Sequence, residues 1–85
     1  MHNFRELIIW QQSKELVKNV YLITKDLPSD ELYSLTSQIR RAVVSISSNI
    51  AEGCGRRTDK ELSRFLDIAN GSAFELESLL LIACD

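Results

Sequence analysis

The sequence predicts an all-α fold, an up-down antiparallel helical bundle formed as a single domain over residues 1–85. Three observations carry this expectation. In three separate stretches the apolar residues recur at alternating spacings of three and four, the period of a helix that buries one face. Only three Gly and one Pro interrupt the chain, so the helices can run long. Apolar residues at 45% and charged residues at 26% are ordinary globular values and argue against disorder. A chain this short buries only about 60% of its unfolded surface, which leaves it marginal unless further contacts are added.

The first helix is expected over residues 3–27. Asn3 and Glu6 have capping-box spacing, in which side chains at the helix start satisfy otherwise unpaired backbone N–H groups. Its seam is Ile9, Leu16, Val20, Ile23 and Leu27, with Ser13 in the missing place and Val17, Tyr21 and Thr24 widening the stripe. Trp10 and Phe4 sit to one side as peripheral core, while Lys14, Lys18 and Lys25 lie off the seam. Pro28 stops the helix, because proline has no N–H to donate and disfavours helical geometry before it. Ser29, Asp30 and Glu31 then read as a turn.

The second helix is expected over 33–53, with a seam at Leu32, Leu35, Ile39, Ala42 and Ile46 that continues through Val43 and Ile50. Gly53 and Gly55 follow the last periodic residue, the position where glycine commonly ends a helix by adopting positive φ. The third helix is expected over 58–85, opened by a Thr58–Glu61 capping box. Its seam is Leu62, Leu66, Ala69, Ala73, Leu76, Leu80 and Ala83. Gly71, beside Ser72 inside this pattern, suggests the close passage of another helix. The apolar pattern runs on to Ala83 without a cap, so helical cover from elsewhere is expected.

Composition excludes several function classes. Ten Lys plus Arg against 12 Asp plus Glu give a formal net charge of −2, unlike a polybasic nucleic-acid binder, although a local patch remains open. Cys54, Cys84 and His2 are the only cysteines and histidine and lack metal-ligand spacing. Two cysteines in a helical chain fit reduced thiols in the cytoplasm. No signal peptide is expected from the first residues, and no apolar run approaches the roughly 20 residues that span a bilayer. No catalytic motif, phosphate loop or cofactor signature is present, so neither an enzyme nor a small-molecule substrate is expected.

Charge is unevenly placed. Residues 40–64 hold Arg40, Arg41, Arg56, Arg57, Lys60 and Arg64 against three acids, whereas residues 65–85 hold four acids and no basic residue. Arg57, Lys60 and Arg64 are spaced to share a helix face, and local positive surface is what phosphate backbones bind. The competing reading is a solvated helix end. For Arg40 and Arg41 the competing reading is an ion pair with Glu75 or Glu77 across the bundle. Asn49 falls where an apolar seam residue should stand, with Ser45, Ser47 and Ser48 nearby. A polar residue there fixes register, bonds the backbone, or meets another subunit.

The run Ser37-Gln38-Ile39-Arg40-Arg41-Ala42, then Ser45-Ile46 and Asn49-Ile50-Ala51-Glu52-Gly53, resembles the central motif of the bacterial four-helix-bundle family, also called the 23S rRNA intervening-sequence protein family. Trp10-Gln11, Pro28 with Glu31 and Leu35, Gly55-Arg56, and Ala69-Asn70-Gly71-Ser72 with Glu75 and Glu77 are similar to its flanking positions. The resemblance spans essentially the whole sequence and reaches the first three helices of the family; its fourth helix has no counterpart here. It implies a structural polar motif at Asn49, Glu52, Gly53, Gly71, Ser72, Glu75 and Glu77. A related branch, the accessory protein of diversity-generating retroelements, implies a homo-oligomer with a pentamer as its form, and RNA or a nucleic-acid-processing protein as partner. The contact positions it implies are Arg40, Arg41, Arg56, Arg57, Lys60 and Arg64. A structural or protein-interaction module with no nucleic-acid role is the alternative.

Overall fold

The computed structural model describes residues 2–27 and 29–84, with the side chains of residues 29–33 left out. Pro28 and Asp85 therefore lie outside the described residues. A single 3-10 turn at Phe4–Glu6 precedes three helices: α1 (Ile8–Thr24), α2 (Ser29–Cys54) and α3 (Asp59–Cys84). The fold is all-α, and among the described residues there is no strand.

The helices run antiparallel with α2 in the middle. Ser47 on α2 meets Ser13 on α1, and Arg40 meets Thr24. On its other side Ser45 meets Ser72 of α3, while Gly53 lies against Phe65. Each pairing runs in opposite directions along the two helices. Among the described residues no Cα of α1 comes within 8 Å of a Cα of α3. The two outer helices share a partner without touching backbone to backbone.

The second helix carries the core, and from Leu35 to Ile50 its seam is as expected; the side chain of Leu32, the first residue of that seam, lies outside the described residues. Ile39, Val43, Ile50 and Cys54 are the largest fully buried side chains. Ala69, Leu76 and Leu79 close over them from α3, and Val20 does so from α1. Trp10, Val17, Leu35, Leu80 and Ala83 pack around this centre.

The first helix departs from expectation in length and in phase. Leu7 is extended, so the predicted continuous helix from residue 3 breaks into a 3-10 turn and α1. Asn3 caps the short turn by accepting from Arg5 N–H at 3.2 Å, and the backbone N–H of Glu6 bonds Asn3 O at 3.1 Å. The break lets Phe4 meet Trp10 edge-on at 5.0 Å between ring centroids. In one continuous helix those residues, six apart, would stand about 120° from each other. The same arm brings the backbone N–H of His2 to the carbonyl of Cys54 at 2.9 Å, satisfying an acceptor at the end of α2.

The buried stripe of α1 is Trp10, Ser13, Val17, Val20 and Thr24, one flank over from the predicted seam. Ile9, Leu16 and Ile23, predicted as core, are 53%, 38% and 65% exposed. Burial of the two hydroxyl residues is made possible by their own backbone: Ser13 Oγ donates to Trp10 O at 2.7 Å and Thr24 Oγ1 to Val20 O at 2.8 Å. A buried hydroxyl with a partner carries little desolvation penalty.

The helix ends differ too. The α1 helix stops at Thr24, three residues short of the expected end, and Ser29 to Glu31 form the first turn of α2 instead of a loop. Acidic residues suit a helix N-terminus, where they oppose the macrodipole. At the far end neither Gly53 nor Gly55 has positive φ. The α2 helix instead closes with tight backbone bonds from Gly55 N–H to Glu52 O and from Arg56 N–H to Gly53 O, both 3.1 Å. The Thr58 cap is as expected, accepting from Glu61 N–H at 3.1 Å.

Gly53 serves close approach. A Cβ there would stand 2.9 Å from Phe65 Cβ and 3.1 Å from Leu62 Cδ1. Gly71 is the reverse of expectation: it is exposed, and a Cβ would meet nothing within 4 Å. The two helical glycines should therefore respond to alanine with opposite sign. Gly71→Ala should raise stability by up to about 1 kcal/mol through helix propensity. Gly53→Ala should lower it by about 1 kcal/mol, since overpacking of about 1–3 kcal/mol outweighs that gain. Urea denaturation midpoints of the two variants check this.

Candidate functional site

The predicted basic residues separate into two groups. Arg40 and Arg41 lie mid-way along α2, whereas Arg56 and Arg57 sit in the turn before α3 and Lys60 and Arg64 on its first turns. Fourteen residues of helix separate Arg40 from the end of α2, about 20 Å at 1.5 Å per residue.

At the turn, Arg56 is engaged twice. Its Nη2 is 3.7 Å from Glu52 Oε1, and its guanidinium stands 4.7 Å from the centre of the Phe65 ring. Arg57 is exposed and precedes α3, so only Lys60 and Arg64 share a helix face as predicted. Those two border a shallow hollow together with Glu61 and Asp67. The basic end is mixed in charge.

Arg40 faces α1, contrary to the expected pairing across to Glu75 or Glu77. Its Nε donates to Thr24 Oγ1 at 3.0 Å, and its guanidinium lies 4.6 Å from the centre of the Tyr21 ring. Thr24 spends its own hydrogen on Val20 O, so its oxygen is available to accept. Arg41, Glu75 and Glu77 are exposed. Among the described residues Arg56–Glu52 is the one ion pair. The physical reason is phase: α3 meets α2 through Ser72, Leu76 and Leu79, which leaves the two glutamates on other sides of the helix.

Asn49 resolves into a local network. Its Nδ2 donates to Ser45 O at 2.8 Å and Ser45 Oγ at 3.0 Å, and Ser45 Oγ is 2.9 Å from Ser72 Oγ. Of the polar motif, Asn49, Ser72 and Gly53 therefore join α2 to α3, Glu52 pairs with Arg56, and Gly71, Glu75 and Glu77 face outward.

The feature that sequence reasoning missed is a groove. Because α1 and α3 stay apart, a concavity of about 410 Å³ opens between them, walled by Ile9, Leu16, Leu66 and Ala73 with Ile46 and Ile50 as floor. A second hollow of about 310 Å³ continues it past Leu16, Ala73, Leu76 and Leu80 to Cys84. The signal was the width of the apolar stripe on α1: two parallel rows, only one of which α2 can cover. Tyr21 and Thr24 as partners of Arg40 carried no signal beyond helical proximity.

Among the described residues no three His, Cys, Asp or Glu side chains come together to hold a metal ion, and no described helix is long and apolar enough to cross a membrane. The antiparallel helices, the central Arg40–Gly53 segment and the open apolar groove place the chain among small all-α helical modules. It belongs to the 23S rRNA-intervening sequence protein family, whose model matches residues 5–85. No curated protein matches the sequence.

The two adjacent arginines should separate in a stability series. Arg40→Ala loses a charged hydrogen bond and a cation–π contact and should cost about 1–3 kcal/mol. Arg41→Ala, at an exposed position, should stay within about 0.5 kcal/mol. Chemical denaturation followed by circular dichroism measures both.

Proposed function

We propose that the chain is a non-enzymatic, cytoplasmic helical module that works by self-association, with a helix of a second copy seated in the groove between α1 and α3. The observation that carries this is the apolar wall of that groove: Ile9, Leu16 and Leu66 stand 53%, 38% and 37% exposed in the single chain. Contiguous exposed apolar surface of this kind favours burial by association. The complementary surface is the outward side of α3, where Phe74 and Ile82 are 66% and 57% exposed. Groove and knob are different surfaces, so the contact is heterologous, and heterologous contacts close into rings when the rotation permits. A pentamer is the ring that the related accessory branch suggests.

A second reading, contact with RNA through Arg57, Lys60 and Arg64, is favoured by one observation. Among the described residues none of the three is in an ion pair, in contrast to Arg56. In a ring these weak contacts would multiply through effective concentration. A purely structural interaction module stands as the outcome if RNA contact fails.

Light scattering over a range of protein concentrations tests the association. The parent chain should form a defined oligomer, and Leu16→Glu with Leu66→Glu should return it to monomer with helicity intact. A parent that stays monomeric at high concentration would sink the proposal. For RNA, affinity should fall with salt by roughly 0.7–0.9 log units per phosphate neutralised. Replacing Arg57, Lys60 and Arg64 together with Glu should abolish binding without changing assembly; unchanged binding would remove this face from the RNA reading, and a parent chain that binds no RNA would leave the interaction module.

A further inference from the structure

On the side of α2 away from the apolar groove, Tyr21 of α1 and the arginine pair of α2 border a concavity of about 530 Å³. We propose that this concavity is a binding site for a phosphate group, separate from the basic turn at Arg56–Arg64 and independent of self-association and of RNA contact at that turn.

Arg40 is half-buried, its Nε is committed to Thr24 Oγ1, and its guanidinium lies over the Tyr21 ring. The guanidinium is thereby fixed, and its two terminal nitrogens form the edge left to a ligand. A planar fork held in one orientation suits two oxygens of a phosphate, and the ordering cost has been met in the fold. Arg41, the next residue, supplies a second cation at the same rim.

The surroundings match an anion. Thr36, Ser37 and Ser48 line the hollow, and among the described residues no carboxylate does. Between Glu31 and Glu52 the sequence has no acidic residue at all. Lys18 and Lys25, both exposed, stand one helical turn to either side of Tyr21 and place two further positive charges near the rim. Asp26, in the turn after α1, is the acid nearest to Tyr21 in the sequence. A half-buried cation with no described carboxylate within 4 Å gains from an anionic partner that repays its desolvation. Hydroxyls add hydrogen-bond donors and carry no charge that would compete.

The contrast with the turn is chemical. There Arg56 is paired with Glu52, and Glu61 and Asp67 share the hollow with Lys60 and Arg64. Here no described carboxylate lines the hollow, and Arg40 is held in place by Thr24 and Tyr21. The ligand chemistry is a phosphate group, whether of a small phosphate or of a nucleic-acid backbone.

The test is an NMR titration of the isotope-labelled chain at constant ionic strength. Its arms are inorganic phosphate, a short oligouridylate, and acetate as a carboxylate control. Inorganic phosphate should give saturable shifts of the Arg40 and Arg41 guanidinium signals and of the Ser37 and Ser48 amides. Arg41→Gln should weaken this at least fivefold. Arg40→Lys, which keeps the charge and loses the fork, should do the same. If oligouridylate saturates those signals at lower concentration than phosphate, the source is a nucleic-acid backbone; if only phosphate does, it is a small phosphate. The proposal is overturned by unchanged signals in both arms, or by shifts no larger than those at Arg56–Arg64. Acetate binding as tightly as phosphate overturns it in favour of a protein carboxylate. Shifts at these residues on concentrating the protein alone overturn it in favour of a contact between copies.

Discussion

Everything in this fold depends on α2 having two occupied sides. Its buried row of Ile39, Val43, Ile46 and Ile50 is shared between α1 and α3, and each outer helix owes its position to a different part of that surface. On the α3 side the determining contact is steric. Absence of a Cβ at Gly53 lets Phe65 and Leu62 come within contact distance of the α2 backbone, and this close approach sets the angle from which the rest of α3 continues to Leu79. On the α1 side the contact is polar: Ser13 to Ser47 at one end, Thr24 to Arg40 at the other. Two hydrogen-bonded points near the two ends of α1 fix its register, while Val17 and Val20 between them supply burial.

This division explains which parts of the structure were legible in the sequence. Helix number, the antiparallel order and the α2 seam follow from periodicity, because a row buried from both sides is kept apolar, Asn49 apart. The α1 phase was not legible for a specific reason. Ile9, Leu16 and Ile23 outrank Trp10, Ser13 and Thr24 in hydrophobicity, yet the second set is the one that α2 covers. Burial of Ser13 and Thr24 is decided by hydrogen bonds to their own helix, which a hydrophobic pattern does not record. Gly53 shows the same gap: one residue type serves positive φ, close approach or neither, and only the neighbouring atoms tell which.

The candidate site was legible as composition and not as geometry. Six basic residues stood out along the sequence, but their separation into a mixed-charge turn and a mid-helix pair, of which Arg40 is held and Arg41 exposed, depends on what faces them. Glu52 and Phe65 take Arg56; Thr24 and Tyr21 take Arg40. Thr24 and Tyr21 lie sixteen and nineteen residues before Arg40 and leave no local trace there, whereas Glu52 and Phe65 lie only four and nine residues from Arg56. The Asn49 network was closer to legible, since a polar residue at a seam position has few ways to be satisfied, and bonding the preceding turn is among the simplest.

The separation of α1 from α3 also bears on cooperativity. The α2–α3 hairpin is held along its length, from Gly53 against Phe65 to the contacts around Leu79, whereas α1 and the arm before it attach on one side only. A protein built this way opens in parts, with the weakly attached element exchanging its amide hydrogens well before the rest. Filling the groove would place apolar surface against α1 and α3 at once. Two parts of the chain with unequal stability would then become a single unfolding unit, and the slowest-exchanging amides of the hairpin and those of α1 would converge on one protection level.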